Sequence, residues 1–341
     1  MDNEIERIQG LWSTAEDLMV EGKGILAADE SNGTIGRRFE PIGVENTEEN
    51  RRAYRELLFT TEGFESYVSG VILFDETIRQ RTADGTPFVE LLQRRGVIPG
   101  IKVDAGAKPL AGAPDETVTE GLDGLRERLA EYRDLGARFT KWRAVLHIGD
   151  DRPTGYAVDV NAHALARYAA LAQEAGLVPI VEPEVLMDGD HDIDACFDAT
   201  EATLREVFHQ LAQQGVDLEG MILKPNMVLS GSEASDRAGP ETVAEMTLTC
   251  FLRTVPAAVP GVAFLSGGQG DEEATVNLDA INRMAWDVGA PWRLTFSYGR
   301  GLQSAPQQAW RGESANVERA QRAFLERARM TAAASSGAYE P

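Results

Sequence analysis

The sequence predicts an α/β protein in which eight parallel strands close into a barrel. Short apolar runs alternate with longer amphipathic segments along the 341 residues, and this alternation is typical of parallel sheets whose strands are joined by helices. Eight such runs fit a closed barrel better than an open doubly wound sheet. An open sheet that binds a dinucleotide would also carry a glycine-rich turn after its first strand, whereas the segment there reads DESNGTIGRR and lacks that spacing.

Each predicted strand is a short apolar run bounded by turn signals. The eight runs cover residues 25–30, 68–76, 97–104, 138–146, 178–185, 220–226, 261–268 and 292–300. Between them lie amphipathic patterns with helical spacing, most clearly at 47–60, 121–136, 163–176 and 202–215, and several end at glycine, as helices often do. An extra helix at about 3–20 and one or two helices at about 303–333 complete the predicted (β/α)8, or TIM, barrel.

The pattern runs without interruption along the chain. Because no linker, repeat or low-complexity stretch divides it, residues 1–341 are expected to form a single domain. The small and polar residues at about 332–341 predict a short flexible tail.

The chain is strongly acidic. It has 33 lysines and arginines against 55 aspartates and glutamates, a net charge of −22. We expect it to repel nucleic acid and anionic membranes, so an anionic substrate would need a local cluster of basic groups. No apolar run reaches the roughly 18 residues of a membrane span. The first residues lack the apolar stretch of a signal peptide, which predicts a cytoplasmic protein.

Lysine is scarce among the basic residues. Only five of the 33 are lysines, and the other 28 are arginines. An amine can lose its proton and act as a nucleophile, whereas a guanidinium stays charged, so each lysine is a candidate for specific chemistry. If these lysines had been retained at random, their positions in the chain would show no pattern. The five are Lys23, Lys102, Lys108, Lys141 and Lys224.

Three of these lysines fall on predicted strands, among other polar residues at the strands' C-terminal ends. In a barrel these ends converge on one face, where barrel enzymes have their active sites. Residues spaced two apart, as in Glu182 and Glu184, also share one face of a strand. The residues at these ends are Asp29, Lys102, Lys141, Arg143, Glu182, Glu184, Lys224, Ser266, Ser297, Gly299 and Arg300.

Two interpretations of these charges remain open from the pattern alone. One is a structural network of ion pairs, since charges in apolar strands need partners. The other is a catalytic site. The glycine-rich turns SGGQG and SYGRG follow the last two strands, where barrels commonly bind phosphate through backbone N–H groups. They favour catalysis on a phosphorylated small molecule.

Lys224 is the best candidate nucleophile in this set, because it follows the apolar run MIL and precedes Pro225. Burial and a neighbouring ammonium, for which Lys141 is well placed, both lower the pKa of an amine. Crowding of Glu182 by Glu184 would supply a carboxyl acid that protonates a departing hydroxyl, and Asp29 could accept a hydroxyl proton when a carbon–carbon bond breaks.

The motifs resemble those of class I fructose-bisphosphate aldolases, in family order over about residues 5–312. The resemblance implies the barrel, reversible cleavage of fructose 1,6-bisphosphate in glycolysis and gluconeogenesis through a lysine Schiff base, no metal or other cofactor, and a homo-oligomer, a tetramer or a dimer. The matching stretches are GKGILAADES, IGVENTEENRR, GVILFDET, GIKVD, LDGL, KWR, IVEPEVLMDGDHD, LKPNMV, FLSGGQ and LTFSYGR.

The resemblance also implies roles for individual residues. Lys224 matches the Schiff-base lysine, Glu182 the acid and base of carbinolamine dehydration, and Lys141 the lysine that tunes and positions it. Asp29 matches the carboxylate that assists carbon–carbon cleavage, and Glu184 a supporting acid.

Two further sets match the phosphate sites of the family. The set for the ketone half of the substrate is Arg300, Ser266, Gly267 and Gly299, with Ser297 beside the Schiff-base region. The set for the other phosphate is Lys102, Arg143, Ser31 and Arg38, with Thr34 where animal members have serine. Many members end in a tyrosine that assists proton transfer to the enamine. Here that role is left unassigned, and deletion of 336–341 is expected to change cleavage less than about tenfold.

Other functions have weaker support. A Schiff-base aldolase for a related sugar phosphate, such as the seven-carbon bisphosphate, stays open. A non-catalytic scaffold would be marked by loss of Lys224, Glu182 or Asp29, and all three are present. The four histidines are scattered, and the acidic loop at 188–192 lacks the EF-hand glycine and glutamate, so no metal site is expected.

Overall fold

A computed structural model describes residues 2–340 and contains a closed barrel of eight strands. The strands of the described residues, including two outside the barrel, are β1 (Gly24–Ala28), β2 (Val68–Leu73), β3 (Ile98–Lys102), β4 (Ala107–Pro109), β5 (Thr117–Thr119), β6 (Phe139–Leu146), β7 (Val178–Val185), β8 (Ile222–Leu223), β9 (Gly261–Phe264) and β10 (Arg293–Tyr298). The order around the barrel is β1-β10-β9-β8-β7-β6-β3-β2, and neighbouring strands are parallel. The predicted barrel is therefore confirmed.

Helices surround the barrel and include the predicted additional helices at both ends of the chain. Several begin where a side chain accepts a hydrogen bond from the first turn, as Thr47, Thr154 and Asp192 do. The helices are α1 (Asp2–Leu18), α2 (Asn32–Phe39), α3 (Glu48–Phe59), α4 (Asp75–Arg79), α5 (Phe88–Arg94), α6 (Leu125–Asp134), α7 (Gly155–Glu174), α8 (Ile193–Gln213), α9 (Pro240–Thr254), α10 (Asp271–Val288), α11 (Arg300–Trp310) and α12 (Val317–Ala334).

The apolar core has two main parts. A large cluster fills the layer between the strands and the outer helices. A smaller cluster joins Leu11 and Leu18 of α1 to Ile25, Phe139 and Ile180 on the strands. Helix α1 thus closes the barrel at the N-terminal ends of the strands, and the polar site lies at the opposite ends.

Strand β6 shows how the alternation of side chains builds both the core and the site. Phe139 packs in the smaller apolar cluster, and Lys141 and Arg143 follow on the same face and line a cavity. Trp142 points the other way, is fully buried, and stacks on Tyr168 of α7 with ring centroids 5.5 Å apart. Trp142 therefore packs in the core.

Two elements differ from the sequence prediction. Strands β4 and β5 form an antiparallel hairpin between β3 and α6 that the pattern did not predict. Strand β8 is short, because Pro225 has no N–H to donate to a ladder. Even so, the Lys224 N–H still donates to Val181 and the Leu265 N–H to the Pro225 carbonyl.

The chain end also differs. Helix α12 continues to Ala334, and the side chain of Tyr339 is buried against the core. The Tyr339 N–H donates to Asp279 Oδ1 at 2.8 Å, and Arg283 Nη2 donates to the Tyr339 carbonyl at 3.1 Å. The predicted loose tail from about 332 is therefore wrong up to Tyr339, because these contacts anchor the segment on α10.

Among residues 2–340, no helix combines the length and the apolar character that a membrane span requires.

Candidate active site

A cavity of about 550 Å³ lies at the C-terminal ends of the barrel strands. All fifteen candidate residues from the sequence line it. Seven arginines and lysines line it against five carboxylates, so the cavity is locally basic in an acidic protein. The candidates are Asp29, Ser31, Thr34, Arg38, Lys102, Lys141, Arg143, Glu182, Glu184, Lys224, Ser266, Gly267, Ser297, Gly299 and Arg300.

Lys224 follows β8 and is almost completely buried. Its Nζ lies 3.4 Å from Glu182 Oε1. Burial, together with repulsion from the nearby Lys141 ammonium, lowers the pKa of Lys224 below its ordinary value, although Glu182 opposes the shift. This amine is therefore closer to its neutral, nucleophilic form than a lysine in water.

Lys141 lies between two carboxylates. Its Nζ is 2.8 Å from Asp29 Oδ2 and 2.9 Å from Glu182 Oε2. Burial opposes its charge, but Asp29 and Glu182 outweigh burial and raise the pKa of Lys141. Burial likewise opposes ionisation of Asp29, and Lys141 outweighs it, holding the pKa of Asp29 well below its usual range. The pair is a fixed ammonium and a fixed carboxylate.

Two further cations of the wall have their own partners. Arg143 Nε lies 2.5 Å from Glu184 Oε2, so Glu182 and Glu184 pair with different cations. Lys102 Nζ lies 2.6 Å from Asp104 Oδ1 and also donates to the Asp104 carbonyl at 2.9 Å.

The two glycine-rich turns meet across the cavity. Gly267 follows β9 with φ of +56°, a conformation that favours glycine. Gly299 precedes α11, and no side chain of the described residues caps that helix. Arg300 donates to the Gly267 carbonyl and so joins the two turns. Ser297 Oγ is buried without a hydrogen-bond partner among residues 2–340. Free N–H groups at the start of a helix suit an anion.

Comparisons with known proteins find relatives along nearly the whole chain. A family model described as "Glycolytic: Fructose-bisphosphate aldolase class-I" matches residues 10–341. The chain is 56% identical over 334 residues to a Xanthomonas campestris protein named "Probable fructose-bisphosphate aldolase class 1", covering 98% of this chain and 99% of the relative.

The chain belongs to the class-I fructose-bisphosphate aldolase family.

Relatives from plants and parasites extend the match. The chain is 55% identical over 330 residues to "Fructose-bisphosphate aldolase, cytoplasmic isozyme" of Spinacia oleracea, covering 97% of this chain and 92% of that one. A Plasmodium falciparum fructose-bisphosphate aldolase, crystallised with TRAP and a small-molecule inhibitor, superposes with a TM-score of 0.96 at 48% identity. That match covers 98% of this chain and 96% of the other. The predicted family, barrel fold and aldolase activity, a lyase reaction, are confirmed.

Two buried carboxylates of this aldolase cavity were not singled out from the sequence. Asp104 holds Lys102, and Glu30 binds Arg38, Arg55 and Gln303. Glu30 follows Asp29 just beyond the end of β1, and Asp104 likewise follows the end of its strand. The motifs GKGILAADES and GIKVD contain both residues, and that was the available signal.

The cysteines and histidines of the described residues lie outside the cavity. Cys196 and Cys250 are buried and free. Among residues 2–340, no group of three or more histidines, cysteines, aspartates or glutamates could hold a metal ion.

Proposed function

We propose that Lys224 is the amine that forms the Schiff base in this aldolase. The observation that carries the proposal is a buried lysine of lowered pKa with its Nζ 3.4 Å from a carboxylate and beside a second, permanently charged lysine. Such an amine can attack the ketone of fructose 1,6-bisphosphate near neutral pH.

Glu182 serves the dehydration step. After Lys224 attacks the ketone carbon, the carbinolamine must lose its hydroxyl as water to give the iminium. Glu182 contacts both lysines through its two oxygens. It is therefore placed to act as a general acid, giving the hydroxyl the proton with which it leaves as water, and to recover a proton when the iminium is hydrolysed. Glu184, held by Arg143, supports it.

Asp29 serves the cleavage step. It is ionised across the neutral range because its pKa is held low. It accepts the proton of the substrate hydroxyl as the carbon–carbon bond breaks. The bonding electrons move into the iminium and form an enamine on Lys224, and glyceraldehyde 3-phosphate leaves. Protonation of the enamine at carbon and hydrolysis then release dihydroxyacetone phosphate.

The cationic and glycine-rich parts of the wall bind the two phosphates. The turns at Ser266, Gly267 and Gly299, with Arg300 and the nearby Ser297, suit the phosphate of the ketone half. Lys102, Arg143 and Arg38, with the hydroxyls of Ser31 and Thr34, suit the other phosphate.

The remaining expectations are also part of the proposal. The reaction needs no metal or other cofactor, because the iminium itself is the electron sink. The protein is a single-domain, cytoplasmic homo-oligomer, as names such as "cytosolic" and "cytoplasmic isozyme" among its relatives suggest for location.

Borohydride trapping tests the role of Lys224. We expect reduction in the presence of dihydroxyacetone phosphate to leave an adduct that peptide mass mapping places on Lys224. Lys224→Arg should lose both the adduct and nearly all activity, because guanidinium stays protonated. Lys108→Arg, at an exposed lysine outside the cavity, is the matched control. An adduct on another lysine, or none, would refute the assignment, and a chelator should leave activity unchanged.

A further inference from the structure

Glu30 is a buried carboxylate that faces three donors from three helices. Its side chain is 3% exposed. Arg38 of α2 donates to Oε1, and Arg55 of α3 donates to Oε2 at 2.6 Å. Gln303 of α11 donates to Oε1 at 2.8 Å.

Gln303 ties this cluster to the backbone of β1. Its Nε2 also donates to the carbonyl of Ala27 at 2.7 Å. Both of its partners are acceptors, which fixes the orientation of the amide. Since Gln303 lies one turn after Arg300, the cluster joins the start of α11 to the strand end that carries Asp29.

The second guanidinium nitrogen of Arg38 faces the start of α11. Arg38 Nη2 lies 3.6 Å from the place where a Cβ on Gly299 would be. Burial, and then the nearness of Arg38, lower the pKa of Arg300. Two guanidinium groups that repel each other across the first N–H groups of a helix define a site that a phosphate dianion would neutralise.

Arg55 explains how Arg38 can be paired and still attract an anion. Glu30 carries one negative charge and contacts two guanidinium groups, so the three together keep a net positive charge. Arg55 is 3% exposed and lies outside the cavity lining, whereas Arg38 is 21% exposed and lines it. The positive charge that remains is therefore presented to the cavity by Arg38.

We propose that Glu30 is a positioning residue that holds Arg38 against the start of α11, where Arg38 shares the ketone-half phosphate with Arg300. This rests on the proposed function but revises one part of it: Arg38, which the resemblance and the proposed function place at the other phosphate, is moved to the ketone-half phosphate. Glu30 acts through Arg38, because its carboxylate is 3% exposed and already accepts hydrogen bonds from Arg38, Arg55 and Gln303.

Steady-state kinetics with two substrates test the proposal. Fructose 1-phosphate carries only the ketone-half phosphate, whereas fructose 1,6-bisphosphate carries both. In Glu30→Gln an amide faces three donors, so Arg38 loses its fixed position. We expect KM to rise about tenfold for both substrates, as for loss of a charge-assisted bidentate contact, with kcat changed less than about threefold. Arg38→Lys should give the same pattern while leaving Glu30 and Arg55 paired.

Three controls make the outcome decisive. Glu30→Gln combined with Arg55→Met removes the buried charge with its partner, in case the single variant fails to fold. Glu49→Gln breaks an exposed glutamate–arginine pair and should leave KM unchanged. Borohydride trapping on Lys224 in each variant separates this inference from the proposed function. A KM rise for the bisphosphate alone, or a loss of thermal stability with KM unchanged for both substrates, would overturn the inference.

Discussion

Lys141 and Lys224 share the carboxylate of Glu182 but have opposite pKa shifts, and the difference lies in their partners. Lys141 contacts two carboxylates at 2.8 and 2.9 Å, whereas Lys224 contacts one at 3.4 Å. For Lys141 the attraction exceeds the cost of burial, and for Lys224 it does not. One buried amine is thereby kept charged, and its charge helps to lower the pKa of the other.

Lys141→Met should therefore move the reaction to higher pH. The substitution removes the ammonium that disfavours protonation of Lys224, so the pKa of Lys224 rises and less of the amine is neutral at pH 7. It also removes the partner that keeps the pKa of Asp29 low. We expect kcat to fall about 100-fold at pH 7, the scale of a lost acid–base partner. The pH dependence of Schiff-base trapping should shift to the alkaline side. An unchanged trapping profile would contradict this account, and Lys108→Met is the control.

The same burial should make Lys224 a cost to stability. The pKa of Lys224 is lower in the folded state than in the unfolded state, so at neutral pH the folded protein binds the Lys224 proton less tightly than the unfolded chain does. The penalty is present below the folded pKa and disappears as pH rises towards 10.5, the ordinary pKa of lysine. Lys224→Met should abolish activity yet raise the melting temperature at pH 7 by about 2 °C, with the gain vanishing near pH 10.5. A lower melting temperature at pH 7 would show that the Glu182 contact outweighs burial.

At the scale of elements, the chain end has a structural anchor. Tyr339 is buried beside α10, and the ion pair of Arg283 with Asp279, 2.7 Å long, holds its backbone. The neighbouring Ser335 and Ser336 line a groove with Lys23 and Arg293 at the N-terminal ends of β1 and β10, across the barrel from the active cavity.

Tyr339→Ala should lower stability and leave the chemistry intact. Loss of the buried ring removes packing worth about 1–2 kcal/mol, because a terminal segment can detach locally instead of leaving a full cavity. Thermal unfolding measures the first effect and kcat/KM the second. A tenfold or larger loss of kcat/KM in the folded variant would mean that the segment leaves its anchor and enters the site.

The sequence predicted the strands because their apolar runs are bounded and carry charges at one end. The spacing of Lys141 with Arg143, and of Glu182 with Glu184, already placed each pair on one face of a strand, and all four line the cavity. Periodicity could not reveal which cation meets which carboxylate. Those pairings depend on the stagger of strands around the barrel, such as Arg143 opposite Glu182 in the register of β6 and β7.

Elements built from few residues were the ones that the sequence did not predict. The β4–β5 hairpin has three residues in each strand and no apolar run, yet it brings Gly106 and Ala107 to the cavity wall. Glu30 illustrates the same limit for a side chain, because its partner Gln303 is 273 residues away in the chain. Contacts of this range follow from packing and not from local pattern.

At the scale of the whole molecule, a protein of net charge −22 must admit a substrate with two phosphates. The long-range field repels the substrate, while the cavity, with seven lysines and arginines against five carboxylates, attracts it at short range. These two effects differ in their sensitivity to salt. Charges farther apart than a Debye length, about 10 Å at 0.1 M, are screened, whereas contacts inside a partly buried cavity are screened much less.

Added salt should therefore speed the capture of substrate. We expect kcat/KM for fructose 1,6-bisphosphate to increase about twofold to threefold between roughly 10 and 150 mM sodium chloride, because screening removes the repulsion by the acidic surface before it weakens the cavity contacts. The increase should be smaller for fructose 1-phosphate, which carries less charge. Measuring kcat/KM against salt concentration for both substrates, at fixed pH and viscosity, checks the two expected increases. A steady fall of kcat/KM with salt would show instead that the basic cavity dominates the field even at a distance, and that the acidic surface plays no part in admission of the substrate.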